Sequence, residues 1–70
     1  MEHFEYTFWV YDIKAGKHYK RGGYYTSLEA CRKALAAYRA EWEDYYTDWD
    51  FDDTIIKKRK VIMTDWEQVK

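Results

Sequence analysis

Residues 22–46 read GGYYTSLEACRKALAAYRAEWEDYY, and this stretch decides the fold. Thr26 followed by Glu29 forms a T-x-x-E capping box, in which the hydroxyl accepts from the N3 amide and the carboxylate returns to the cap amide. Beyond it, Leu28, Cys31, Leu35, Tyr38, Trp42 and Tyr45 recur at spacings of three and four, so they share one helical stripe. Glu29 and Lys33 make a favourable i,i+4 pair on the opposite face, beside Ala36, Ala37 and Ala40. The spacing predicts one helix over residues 27–45, with its aromatic stripe laid on a sheet.

Upstream, residues 4–13 alternate. Phe4, Tyr6, Phe8 and Val10 share one face and Glu5, Thr7, Trp9 and Tyr11 the other, the period-2 pattern of a strand built from strong β formers. Lys14, Ala15 and Gly16 suit a three-residue hairpin loop closed by Gly16 at positive φ. Residues 17–25 then form the returning strand, bent or bulged where Gly22 and Gly23 fall together. Downstream, residues 46–53 show neither period and mix Trp49 and Phe51 with acids, which predicts an ordered loop. Residues 54–64 return to strand character around the basic run Lys57, Lys58, Arg59 and Lys60. Four consecutive bases cannot be buried on either face, so this is an edge strand, where lysines also block edge-to-edge association. Thr64 and Glu67 suggest a second capping box, with Trp66 anchoring a terminal turn.

The predicted fold is therefore α+β, in the order ββαβ: a three-stranded antiparallel sheet with one helix packed on a face. Both faces of the first strand carry rings, and the pattern does not choose which of them meets the helix.

Composition agrees with one small domain. The chain has 70 residues, 47% hydrophobic and 36% charged, with no proline and no Gly/Ser-rich linker. Chains of this size bury only about 60% of their unfolded surface, so the core must rest on few large side chains. Aromatics supply them at 21% of the sequence, a content foreign to disordered chains. No run approaches the roughly 20 apolar residues of a membrane span, and the single Cys31 cannot form an internal disulfide. These features lead to the expectation of a soluble cytoplasmic protein, monomeric or homodimeric, with no membrane partner.

The motifs of catalysis and of metal or nucleotide binding are missing. The run Asp48 to Asp53 resembles the start of a calcium loop, yet position six holds Asp53 instead of glycine and position twelve holds Arg59 instead of glutamate. His3, His18 and Cys31 are the only nitrogen and thiolate ligands, without zinc-finger spacing. Gly22 and Gly23 lack the pattern of either nucleotide fingerprint. His18 is the one base in a structured element and has no nucleophile or orienting group in sequence reach. The expectation is a non-enzymatic protein with no catalytic residues, metal site or cofactor.

Charge is where the sequence becomes specific. The formal net charge of -1 hides a strong segregation. Lys14, Lys17, Lys20 and Arg21 form one basic cluster interleaved with Tyr11, His18 and Tyr19, and the run Lys57 to Lys60 forms another. Cations beside rings are what single-strand and sheet-type nucleic-acid binders use. Between these clusters lie Glu41, Glu43, Asp44, Asp48, Asp50, Asp52 and Asp53, with Trp49 and Phe51 among them as candidate anchors.

The junction Gly23, Tyr24, Thr26, Glu29 and Ala30, within residues 9–35, resembles the "G-aromatic-x-T-x-x-E-A" step from sheet to helix in arm-type, AP2-like DNA-binding domains of phage integrases. That resemblance implies a sheet that enters the major groove, with Lys17, Tyr19 and Arg21 on the reading strand. In size and composition the chain is also similar to small phage-encoded anti-defence proteins, the anti-CRISPR and anti-restriction inhibitors. That similarity implies the first expectation for function: an inhibitor whose acidic, ring-bearing surface imitates nucleic acid and engages a partner protein with a basic surface. The alternative is direct binding of DNA or RNA through Lys14, Lys17, Tyr19, Lys20, Arg21 and the run Lys57 to Lys60. A structural or assembly subunit is the third.

Overall fold

The structure, a computed structural model, describes residues 2–62. The expected second capping box, the Trp66 anchor and the end of the 54–64 strand lie outside the described residues. Within them the chain forms β1 (Glu2–Asp12), β2 (Lys17–Lys20), α1 (Leu28–Trp42) and β3 (Trp49–Ile62). The sheet is antiparallel with order β2-β1-β3, which makes β1 central and β3 an edge. This is the small α+β architecture expected, and its differences from the sequence reading lie at the joints.

The hairpin loop has four residues, because Asp12 pairs with Lys17. The Asp12 carbonyl accepts from Gly16 at 2.8 Å and its carboxylate from Ala15 at 2.9 Å, while Gly16 adopts φ +71° as required. Regular β2 ends at Lys20, short of residue 25. Trp9 faces Lys20, but Tyr6 faces Tyr25, so Thr7 and Phe8 are opposed by four residues, Arg21 to Tyr24. Arg21 and Gly22 both donate to the Phe8 carbonyl, at 3.1 and 3.3 Å, and the glycine pair lies in this bulge.

The helix starts one residue later than the capping box suggests. Ser27, extended at φ -142° and ψ 155°, is the cap, and its Oγ accepts from Ala30 N–H at 3.1 Å. The backbone bridge between Tyr6 and Tyr25 keeps the chain extended up to this point, so Thr26 becomes a spacer. Glu29 then serves the positive end of the helix dipole instead of closing a box. At the other end α1 stops at Trp42 and not at residue 45. Glu41, Glu43 and Asp44 crowd the negative end of the dipole, and the Trp42 carbonyl accepts from both Tyr45 and Tyr46 as the chain turns away. Tyr45, expected in the core stripe, is 72% exposed.

The largest difference is in residues 46–53. Trp49 to Asp53 belong to β3 and not to a loop. Val10 faces Thr54 while Tyr11 faces Asp50, so Phe51, Asp52 and Asp53 form a bulge without partners on β1. Burial of Phe51 drives this distortion, because its ring leaves the strand alternation to enter the core at 6% exposure.

That core is Phe8, Val10, Cys31 and Phe51, with Leu35, Tyr38, Trp42 and Trp49 packed on it. The helix therefore covers the Phe8 and Val10 face, and Thr7, Trp9 and Tyr11 point to the opposite side. Rings from the segment predicted as a loop also take part in this packing. Tyr46 stacks on Trp49 with centroids 3.9 Å apart, and Tyr38 lies between Phe8 and Trp49. A 15-residue helix spans about 22 Å, whereas a 14-residue strand spans about 45 Å. The ribbon of β1 and β3 overhangs the helix accordingly, within principal extents of 52 × 24 × 17 Å.

Candidate nucleic-acid interface

Pairing places the two basic clusters on either side of β1. Lys20 of β2 faces Trp9, Lys57 of β3 faces Thr7, and Arg59 faces Glu5. All of these side chains share the sheet face that the helix leaves open. Tyr24, carried out by the Arg21 to Tyr24 bulge, joins them. The result is a hollow of about 260 Å³ lined by Thr7, Trp9, Lys20, Tyr24, Lys57 and Arg59, with Glu5 and Lys58 also bordering it.

Its electrostatics are organised by rings more than by acids. Lys57 Nζ lies 4.9 Å from the Trp9 centroid. Lys20 Nζ and the Arg59 guanidinium stand 3.9 and 4.8 Å from the Tyr24 centroid. Lys20 also donates to the Tyr24 hydroxyl at 2.5 Å. That hydrogen bond and the Lys20 charge hold the phenol below its ordinary value, with the Arg59 charge acting in the same direction. Among the described residues the only carboxylate lining the hollow is Glu5, which accepts from Arg59 at 3.1 Å. At its floor Thr7 is 7% exposed, and its hydroxyl has no hydrogen-bond partner among the described residues.

The remaining basic side chains are directed elsewhere, although Lys58 borders the hollow. Lys14 sits in the hairpin loop. Lys17, Tyr19 and Arg21 lie on the helix side, with Lys17 Nζ 4.9 Å and the Arg21 guanidinium 5.3 Å from the Tyr19 centroid. Arg21 is also 4.0 Å from the Trp49 centroid, so it packs between the hairpin and the core. Lys58 faces Tyr6 on the helix side and covers Phe4 at 4.9 Å, and Lys60 faces Phe4 on that same side. Trp9, Tyr24 and Thr7, which complete the open face, were missed in the sequence. Trp9 was in the alternation, but its membership depends on which face the helix covers.

The acidic run is divided as well. Asp52 accepts from Arg39 at 2.7 Å, Glu43 accepts from the same guanidinium at 2.7 Å, and the two hold Arg39 above its ordinary value. Asp53 pairs with His18 at 2.8 Å, and Asp50 accepts from Asp52 N–H. Phe51 is buried, and Trp49 is half-buried, stacked on Tyr46 and packed against the core, so neither is a fully exposed anchor. Glu41, Asp44 and Asp48 are exposed and make no ion pair among the described residues.

Among the described residues, no three His, Cys, Asp or Glu side chains converge to hold a metal ion, and no helix is long and apolar enough to cross a membrane. Comparison of the chain with protein-family models, with curated proteins and with solved structures finds no match.

Proposed function

We propose that this chain is a non-enzymatic module that binds single-stranded nucleic acid across the open face of its sheet. The observation that carries the reading is the convergence of Lys20, Lys57 and Arg59 with Trp9 and Tyr24 around one hollow. Phosphates meet the three cations. As they draw Lys57 and Lys20 off the rings, the faces of Trp9 and Tyr24 become stacking platforms for bases, which any sequence can use. A hollow of about 260 Å³ lies below the range of about 300–1,000 Å³ typical of small-molecule pockets, and so suits one unit of a polymer better than a free ligand. The net charge of -1 does not oppose this, because most acids gather around the end of α1 and the start of β3, and Glu5, paired with Arg59, is the one carboxylate of the described residues at the hollow. Fluorescence anisotropy with labelled single-stranded and duplex oligonucleotides tests the reading. The expected result is a preference for single strands, with log K falling by about 0.7 per log unit of salt for each phosphate engaged. No binding at micromolar protein in low salt would overturn it.

A second reading rests on Tyr45, 72% exposed in a run with the unpaired Glu41, Asp44 and Asp48. It makes the chain an acidic ligand for a basic partner protein, as a nucleic-acid mimic that inhibits a host defence complex would be. Neutralising these three carboxylates together removes capture of such a partner and leaves oligonucleotide binding intact.

A further inference from the structure

The outer edge of β3 has no strand beside it among the described residues, and its sequence is complementary to itself. From Asp52 it reads Asp-Asp-Thr-Ile-Ile-Lys-Lys, acidic at one end and basic at the other. We propose that β3 pairs antiparallel with β3 of a second copy, about a two-fold axis at Ile55, joining two sheets into one of six strands.

In that register Ile55 faces its own copy, Thr54 faces Ile56, Asp53 faces Lys57 and Asp52 faces Lys58. The faces agree. Asp53 and Lys57 both lie on the open side, where they reach His18 and Trp9. Asp52 and Lys58 both lie on the helix side, where they reach Arg39 and Phe4. The Asp52 and Asp53 bonds within the chain each use Oδ1, which leaves Oδ2 for an incoming ammonium. A slip by one residue would set open-side against helix-side residues, and a slip by two would set Ile55 against Lys57. A row of lysines normally repels a neighbouring edge. Here the acidic half of a second copy is the partner that turns repulsion into attraction, which makes the pairing selective as well as favourable. The interface is isologous and closes at two copies.

The test exchanges charges whose side chains reach Arg39 and Phe4 on the helix side, and oligonucleotide anisotropy on the same variants separates loss of pairing from loss of nucleic-acid binding, so the two ideas fail independently. Asp52→Lys alone and Lys58→Asp alone each create two like-charge contacts per dimer and lower the association constant by about tenfold or more. Sedimentation equilibrium and native mass spectrometry read the outcome, with circular dichroism confirming that these exposed substitutions leave the fold intact. The expected result is a dimer for the unaltered chain, loss of dimer in each single variant, and its return in the double variant. Mixing the two single variants also restores it, as a heterodimer. A monomer across the full concentration series, or single variants that associate as well as the unaltered chain, would overturn the proposal.

Discussion

Gly22 lies so close to Phe8 that a Cβ on it would stand 2.6 Å from Phe8 Cδ2, and 2.9 Å from Thr7 Oγ1. Phe8 is 1% exposed at the centre of the core and has nowhere to move. Gly22→Ala is therefore an overpacking change and is expected to cost about 1–3 kcal/mol. Gly23→Ala is the control, since its Cβ would meet only the Tyr25 hydroxyl at 3.7 Å and Cζ at 3.9 Å, ordinary contact distances. Urea unfolding midpoints should separate the two variants; equal midpoints would remove the close approach as the reason for glycine at position 22.

Arg21 offers a second test of packing against function. Its guanidinium lies 4.0 Å from the Trp49 centroid, on the helix side of the sheet. Arg21→Lys gives up the planar stack for a point charge and is expected to lower stability by about 0.5–2 kcal/mol. Oligonucleotide affinity should change far less than in Lys57→Ala. A variant with normal thermal unfolding but lost nucleic-acid binding would return Arg21 to the interface.

Why the sequence placed Arg21 with the nucleic-acid residues is a matter of face. Alternation along β1 made Phe8 and Trp9 equal candidates for the core, and only the docked helix breaks that tie. Once Phe8 is inside, every residue on β2 and β3 acquires a side through its register, and the two basic clusters split accordingly. The helix and the edge position of Lys57 to Lys60 were legible because periodicity and charge are local. The cap at Ser27 was not, because the Tyr6–Tyr25 bridge that displaces it is a contact between distant positions. The bulge at Phe51 was illegible for a related reason. A single ring leaving strand alternation to fill a core looks, along the chain, like the loss of any period.

The open face makes its own prediction. Lys57→Ala removes a cation aimed at phosphate and should reduce the salt slope of single-strand binding by about 0.7, one phosphate's share. Trp9→Ala should weaken binding by about 1–3 kcal/mol while leaving that slope unchanged, because stacking carries no counterions. Lys58→Ala, whose side chain covers Phe4 on the helix side although the residue borders the hollow, should alter both by less than Lys57→Ala alters the slope. Anisotropy titrations at four salt concentrations distinguish these outcomes. Equal effects of Lys57→Ala and Lys58→Ala would mean that overall charge, not this face, determines binding.

Cys31 ties stability to alkaline pH. Its side chain is fully buried, at 0% exposure, and burial pushes the thiol above its ordinary value of 9.0. Burial likewise raises Tyr38 above 10.0, against the charge of Arg21. In both cases the unfolded chain releases a proton that the folded chain retains, so between the unfolded and folded values stability falls as pH rises. The loss from Cys31 begins near its ordinary value of 9.0 and that from Tyr38 near 10.0, with full stability from both groups below the first of these. From these two groups urea midpoints should be level below pH 8 and decline above it, while Tyr24, whose phenol is held below its ordinary value, acts in the opposite direction. Cys31→Ala lowers every midpoint by leaving a small cavity, but flattens the first part of the decline. A parallel curve for the two proteins would show that the thiol does not titrate with unfolding. Rapid labelling of Cys31 by a thiol reagent at pH 7, at the rate of a free thiol, would show that it is not enclosed.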